Sequence, residues 1–205
     1  FTELVGLARR YPSPHGNRVA IEVLNAAGEG RAAHRFARAV IREGLGGTGH
    51  DPAVWSAAFP VHFAEEVARC ADAASVPHGL LQALVREESG FDPAARSHVG
   101  ALGLTQLMPR TAFALAREKG MPLKHVGELL DSRRNLQLGA FYLGQMLRRF
   151  EGQPAVAAAA YNGGPTRVAR WLKEKPIEDL EEWIEEIPID ETRNYVKDVL
   201  ASADV

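Results

Sequence analysis

Apolar residues recur at spacings of three and four along most of this chain, and that periodicity limits its fold more than any other feature. An α-helix has 3.6 residues per turn, so this spacing gathers the apolar side chains on one helical face. A half-buried strand would instead alternate apolar and polar residues with a period of two. No stretch shows a persuasive alternation, and the sequence therefore predicts an all-α fold.

Proline and glycine divide the periodic stretches into separate helices. Before residue 46 the predicted helices are short, as at the end of a stack of antiparallel hairpins: 1–11, 14–29 and 31–45. The segment 46–60 holds a glycine pair, an Asp-Pro step and a later proline, and it is the predicted linker. The helices predicted after it cover 61–74, 77–89, 109–119, 132–150, 154–174 (as two helices) and 190–203.

Composition and charge exclude several classes of function. The 205 residues carry a net charge of −2, and no dense basic face suggests a nucleic-acid partner. The longest uncharged stretch, 152–166, is shorter than the roughly 20 apolar residues of a membrane span, so none is predicted. The chain opens with neither an initiator methionine nor a signal peptide, which we interpret as an excised fragment or mature segment.

The residues that commonly bind metals or cofactors form no recognisable site. Cys70 is the only cysteine and is predicted to be a buried small apolar residue. The seven histidines are dispersed, and no phosphate-binding glycine loop is present, so neither a metal nor a cofactor is predicted. The acidic run 174–191 lacks EF-hand spacing and is interpreted as a solvated face, with Trp183 and Ile184 pointing inward.

Two adjacent glutamates end a predicted helix in the stretch LLQALVREESGFDP, residues 80–93. Helical geometry centres the apolar face near Leu81 and Leu84, which places Glu88 on that face and Glu87 about 90° away at its solvated rim. Burial would raise the pKa of the Glu88 carboxyl, and a protonated glutamate in a cleft can protonate a glycosidic oxygen. The same position also suits a glutamate that pairs with a buried arginine or caps a neighbouring helix.

Two further features are compatible with a groove for a neutral, hydroxyl-rich polymer. The long connection after Glu88 combines small residues with neutral hydrogen-bonding groups: Gly90, Ser97, Gly100, Gly103, Thr105 and Gln106. An ordinary inter-helix loop has a similar composition. Tyr161 and Asn162 follow four alanines and precede a glycine turn, where they would orient an acetamido group, hold the carboxylate or simply pack.

Together these segments strongly resemble the Slt-type (family 1) lytic transglycosylases. Motifs in the family's order occupy residues 77–200: Glu88-Ser89, Gly103-Leu104-Thr105-Gln106, Met108-Pro109, Ala160-Tyr161-Asn162, and the closing segment IPIDETRNYVKDVL with Glu191 and Tyr195. The stretch VWSAAFPVHF also resembles the approach to the catalytic domain in the soluble superhelical members. The resemblance implies a lysozyme-like catalytic domain over 56–205, preceded over 1–55 by short antiparallel helices from the end of an α-superhelical region.

The activity implied by the resemblance is cleavage of the β-1,4 bond between N-acetylmuramic acid and N-acetylglucosamine in peptidoglycan. It proceeds without water and leaves a 1,6-anhydro end, with Glu88 as acid and then base. Carried over by motif, the saccharide-binding residues are Ser97, Gln106, Met108, Tyr161 and Asn162, and the supporting residues are Ser89, Gly103, Glu191 and Tyr195. The implied partner is the peptidoglycan glycan strand, and the implied location is the periplasm or cell envelope.

Two alternatives remain open at the level of sequence. A goose-type lysozyme-like muramidase shares this fold and a catalytic glutamate but admits water to the bond. A second carboxylate over the cleft would favour hydrolysis, and the sequence shows none convincingly. The other alternative is a lysozyme-like binding module without catalysis, although such a module has no need of an acid at position 88.

Overall fold

The structure, a computed structural model, describes residues 2–45 and 51–203. Over these residues it is helical and contains no strand; isolated bridges join Arg96 to Leu102 and Leu102 to Leu107 within one loop. The predicted all-α fold is therefore confirmed. The chain divides into two compact units, Phe1–His62 and Phe63–Val205.

The first unit contains the helices α1 (Thr2–Arg10), α2 (Pro14–Ala26), α3 (Gly30–Glu43) and α4 (Pro52–Ala58). Helix α3 packs against α2 and α4 around a small apolar core. The presence of α4 corrects the prediction of a linker over 46–60, of which residues 46–50 lie outside the described residues.

A single dipeptide explains that error. Pro52 occupies the first turn of α4, where its missing N–H costs nothing, and Asp51 Oδ1 accepts a hydrogen bond from the Ala53 N–H at 2.9 Å. The Asp-Pro step therefore begins a helix instead of breaking one. Because α4 packs on α3, the two units divide after His62, seven residues beyond the predicted boundary at 55.

The second unit surrounds a larger core. Its helices are α5 (Ala64–Ala74), α6 (His78–Ser89), α7 (Pro109–Glu118), α8 (Ser132–Arg149), α9 (Pro154–Gly163), α10 (Pro165–Glu174), α11 (Leu180–Glu185) and α12 (Asp190–Ala203). A 3-10 helix, Val126–Leu130, precedes α8. Helix α6 packs against α5 and α12, and the loop from 90 to 108 joins α6 to α7.

Helix α9 is the central element of the second unit. Residues 155–161 are all buried, because α8, α10 and α12 pack around this helix. Its alanines allow close approach, and a Cβ at Gly163 would lie 3.2 Å from Thr192 Oγ1 of α12. This packing brings Tyr161 and Asn162, at the end of α9, to the side of α12 that faces the core.

The acidic run is a solvated face, as predicted. Trp183 and Ile184 are buried, while Lys197 pairs with Glu185 across 2.7 Å at the surface. Cys70 is also buried, and burial raises the pKa of its thiol. None of the described helices is long and apolar enough to cross a membrane.

Candidate active site

Glu88 lies in the last turn of α6 and is half-buried. The apolar face that carries it, with Leu81 and Leu84 fully buried, packs into the core as predicted. Burial raises the pKa of the Glu88 carboxyl from an ordinary value of 4.5 to about 8, with smaller contributions from the charges of Glu191 and Glu87. Glu88 is therefore protonated at neutral pH and able to donate a proton.

Tyr195 of α12 holds this carboxyl directly. Its hydroxyl donates a hydrogen bond of 2.7 Å to Glu88 Oε1, and that bond lowers the pKa of Glu88 against the larger effect of burial. Burial and the nearby charge of Glu88 raise the pKa of Tyr195 well above its ordinary value. Tyr195 thus remains a donor at any pH at which the protein would work.

Loss of the Tyr195 hydroxyl is expected to alter both the rate and the pH dependence of any reaction in which Glu88 transfers a proton. In Tyr195→Phe the pKa of Glu88 rises, so the alkaline limb of the pH–activity profile moves to higher pH. We also expect kcat to fall roughly tenfold, because a hydrogen bond to the ionised carboxylate is lost. The measurement is kcat against pH for both proteins. An unmoved alkaline limb would show that this contact does not tune Glu88.

The structure corrects the prediction that the neighbouring Glu87 is a solvated residue at the rim of the apolar face. It is half-buried, and its Oε1 accepts a 2.7 Å hydrogen bond from Ser202 Oγ of α12. The buried Arg86 donates from Nη1 to Ser202 O and Oγ at 2.8 and 2.9 Å. Helical geometry placed Glu87 correctly at the edge of the apolar face, but α12 covers that edge. Residues 86, 87 and 88 therefore all bind α12.

Ser89 and Glu191, predicted to be supporting residues, have different surroundings. The Ser89 hydroxyl is buried and donates to Val85 O at 3.1 Å, within α6 itself. Glu191 is exposed in the first turn of α12, close enough for its charge to act on Glu88. Ser89 thus stabilises the end of α6, and Glu191 contributes negative potential.

Ser97 closes a turn in the loop between α6 and α7. Its Oγ accepts a 2.9 Å hydrogen bond from the Ala101 N–H, and its own N–H donates to Ala101 O. Met108 lies at the other end of the loop, immediately before α7, with 42% of its surface exposed. One predicted groove residue is therefore engaged within the loop, and the other presents an apolar side chain to solvent.

Gln106 and Gly103 form the tightest part of this loop. Gln106 has a left-handed backbone (φ 45°), and its Nε2 donates to Gly103 O at 2.8 Å. Gly103 also has positive φ (77°), and a Cβ there would lie 2.3 Å from Asn135 Nδ2 and 2.4 Å from Leu129 O. Position 103 therefore accepts only glycine without rearrangement.

Gly100, in the same loop, provides a matched control for Gly103. It has a φ of 90°, but a Cβ there would meet nothing within 4 Å. Both alanine substitutions carry the cost of positive φ, whereas Gly103→Ala adds a clash with backbone and buried amide. We expect Gly103→Ala to lower the free energy of unfolding by about 2–3 kcal/mol more than Gly100→Ala, measured by urea denaturation. Equal losses would refute the close packing.

Tyr161 is buried, with its ring 5.0 Å from that of Tyr142 and its hydroxyl donating to Thr105 O at 2.9 Å. Burial raises the pKa of Tyr161 well above its ordinary value, with a further contribution from nearby Glu88. Asn162 is half-buried, and its Oδ1 accepts a 2.7 Å hydrogen bond from Thr192 Oγ1. These contacts tie α9 to the loop and to α12.

The candidate site has Glu88 and Tyr195 at its centre. Glu88 and Tyr195 are in direct contact, and Tyr161, Glu87 and Glu191 lie within electrostatic reach of them. The loop residues Ser97, Gln106 and Met108 lie in the segment that joins α6 to α7. Within the described residues no three His, Cys, Asp or Glu side chains are grouped to hold a metal ion.

A protonated carboxyl on the apolar face of a helix, hydrogen-bonded to one tyrosine, is suited to proton transfer. Comparison with known proteins identifies the domain that carries it. Residues 66–184, more than half of the chain, match the family described as Transglycosylase SLT domain. The chain belongs to this family. The resemblance found in the motifs is thereby confirmed, and Tyr195 lies beyond the matched residues.

Several lytic transglycosylases are similar to this chain in sequence and structure. The soluble lytic murein transglycosylase of Escherichia coli K12 is 37% identical over 115 residues, which are 56% of this chain and 18% of that protein. A lytic transglycosylase Slt from Pseudomonas aeruginosa, an inactive mutant with glutamine in place of a glutamate, is 34% identical with a TM-score of 0.79. The match covers 96% of this chain and 30% of that one.

The crystal structure of the 70 kDa soluble lytic transglycosylase from Escherichia coli is also similar. It is 28% identical with a TM-score of 0.71, over 92% of this chain and 34% of that one. The chain therefore spans about a third or less of these relatives, and its likeness to the two structures extends over both of its units.

Proposed function

We propose that this chain cleaves the glycan strands of peptidoglycan as a lytic transglycosylase, with Glu88 as the catalytic acid and base. The observation that carries the proposal is that Glu88, which lies within the matched Transglycosylase SLT domain, accepts a hydrogen bond from Tyr195 and has a pKa that burial raises to about 8. The relatives of this chain include soluble lytic murein transglycosylases, which supports peptidoglycan as the substrate class. The proposed location is accordingly the cell envelope, where peptidoglycan lies.

In the first step Glu88 donates its proton to the oxygen that links N-acetylmuramic acid to N-acetylglucosamine. The bond from C1 of the muramic acid to that oxygen breaks, and N-acetylglucosamine leaves with a new hydroxyl. Positive charge develops at C1, where the carbonyl oxygen of the substrate's own acetamido group stabilises it. This route differs from the usual pair of protein carboxylates.

In the second step Glu88, now ionised, removes the proton from the C6 hydroxyl of the same sugar. The C6 oxygen bonds to C1 and closes a 1,6-anhydro ring, so no water is consumed and Glu88 regains its proton. The hydrogen bond from Tyr195 is most favourable to Glu88 in its ionised form. It therefore steadies the carboxylate between the two steps.

The remaining site residues are proposed to shape the groove for the saccharide. Met108 offers an exposed apolar side chain to a sugar ring, and Gln106 and Ser97 present the loop that forms one wall. Asn162 is proposed to position the acetamido group, and Tyr161 to hold the wall through Thr105. We propose, by the same resemblance, that the first unit is the end of a superhelical region.

The class of substrate is tested with dye-labelled, purified peptidoglycan. The chain is expected to release soluble dye at a rate proportional to its concentration, whereas labelled chitin particles control for non-specific shedding. Binding to the labelled particles without any release would overturn the proposed activity and leave a binding module.

A further inference from the structure

Asn135 of α8 is a buried amide whose hydrogen-bonding capacity is fully used. It is completely inaccessible to solvent. Its Nδ2 donates to Leu102 O and to Leu129 O, both at 2.9 Å. Its Oδ1 accepts from the Thr105 N–H at 2.8 Å and from Thr105 Oγ1 at 2.7 Å. Two donors and two acceptor sites are thus satisfied by one loop and the end of one 3-10 helix.

The loop packs closely around this amide. A Cβ at Gly103 would lie 2.3 Å from Asn135 Nδ2. On the other side, a Cβ at Gly139 of α8 would lie 2.3 Å from Thr105 Oγ1 and 2.5 Å from its methyl group. Thr105 therefore packs directly against the backbone of α8, one turn beyond Asn135.

Two residues of the proposed groove depend on the position of Thr105, which is hydrogen-bonded to Asn135. Thr105 O accepts a hydrogen bond from the hydroxyl of Tyr161. Tyr161 is in turn close enough to Glu88 for the charge of Glu88 to raise its pKa. Gln106, the next residue, is fixed in its left-handed conformation by the bond from its Nε2 to Gly103 O. A displacement of Thr105 would therefore move one wall of the groove relative to Glu88.

We infer that Asn135 is a positioning residue for the glycan groove, acting through Thr105 on Tyr161 and Gln106. The inference rests on the proposed function, since it assigns a role within the same site. A small displacement of a binding wall weakens substrate binding even when the acid itself is untouched. The hydrogen bond from Tyr195 to Glu88 involves neither Asn135 nor Thr105, so the effect is expected in saccharide affinity.

The test uses paired substitutions at Thr105 in a Glu88→Gln background, in which the saccharide is bound but not cleaved. Thr105→Val keeps the shape and removes the hydroxyl that binds Asn135, whereas Thr105→Ser keeps the hydroxyl and removes the methyl group. Asn135→Asp removes both amide donors with little change in size. Calorimetry with a tetrasaccharide of alternating N-acetylglucosamine and N-acetylmuramic acid gives the Kd and the binding stoichiometry separately.

We expect Kd to rise about fivefold in Thr105→Val and at least about tenfold in Asn135→Asp, with stoichiometry kept and Thr105→Ser close to the parent. A residue that only stabilises the fold would lower the stoichiometry, as protein unfolds, and leave Kd unchanged. That result, or an unchanged Kd in Thr105→Val, would overturn the inference.

Failure of the proposed function gives a different result. The chain with Glu88 intact would then release nothing from peptidoglycan, whatever the affinities of the Thr105 variants. Saccharide affinity that depends on Asn135 would still be measurable in that case, because the calorimetry does not require turnover. No binding by the Glu88→Gln parent would overturn the groove and this role of Asn135 together.

Discussion

Glu88→Gln is expected to abolish release of soluble fragments from peptidoglycan, with a loss of at least about a thousandfold. Glutamine fills the same space, and its Oε1 can still accept a hydrogen bond from the hydroxyl of Tyr195, so the fold is kept. It has no proton to give to the glycosidic oxygen and cannot take one from the C6 hydroxyl. Both proposed steps are therefore removed by exchanging a carboxyl for an amide.

The neighbouring glutamate supplies the control for this experiment. Glu87→Gln makes the same chemical change one residue earlier on α6, and the amide oxygen can still accept from Ser202. We expect this variant to retain activity within about tenfold of the unaltered chain, since it keeps an acceptor for Ser202 and removes a negative charge that has a minor effect on Glu88. Release is measured with the dye-labelled substrate. Comparable rates for Glu88→Gln and the unaltered chain would contradict the assignment of Glu88.

Glu88→Gln is also expected to stabilise the protein at alkaline pH. Because the pKa of Glu88 is about 8 in the fold and about 4.5 when unfolded, the folded state keeps a proton that the unfolded state releases between these values. The stability of the unaltered chain therefore falls as pH rises from about 4.5 to about 8, relative to a variant that cannot ionise. Below this window both states are protonated and the effect vanishes.

The expected size of this effect is large for one side chain. Each pH unit in the window is worth about 1.4 kcal/mol, and Glu88 is half-buried, so we expect Glu88→Gln to gain about 3–5 kcal/mol at pH 9. At pH 4 the two proteins should be equally stable within about 1 kcal/mol. The measurement is the difference in free energy of unfolding by urea at several pH values. A difference independent of pH would show that Glu88 is not protonated in the fold.

Features set by neighbours along the chain were the ones that the sequence could predict. The spacing of Leu81, Leu84 and Glu88 depends only on helical geometry, and the structure places Glu88 on the buried side of α6 as expected. Helix α12 likewise begins and ends where predicted, at Asp190 and Ala203. Local periodicity and capping residues are sufficient for such elements.

Contacts between distant segments could not be read in this way. Ser202 binds Glu87 from 115 positions away, and Asn135 binds Thr105 from 30 positions away. Neither residue lies in a motif, and a buried asparagine or a serine near a helix end has no local signature. The covering of Glu87 was missed for the same reason, since only the packing of α12 on α6 buries it.

The central claim is that Glu88 breaks the glycan without water, and the mass of the products tests it most directly. The chain and its Glu88→Gln variant would be incubated with purified peptidoglycan in water enriched in ¹⁸O, and the soluble fragments analysed by mass spectrometry. We expect fragments with anhydro-muramic acid ends, lighter by one water than hydrolytic products, free of ¹⁸O, and absent from the variant. Reducing ends that carry one ¹⁸O would contradict the account and identify a muramidase.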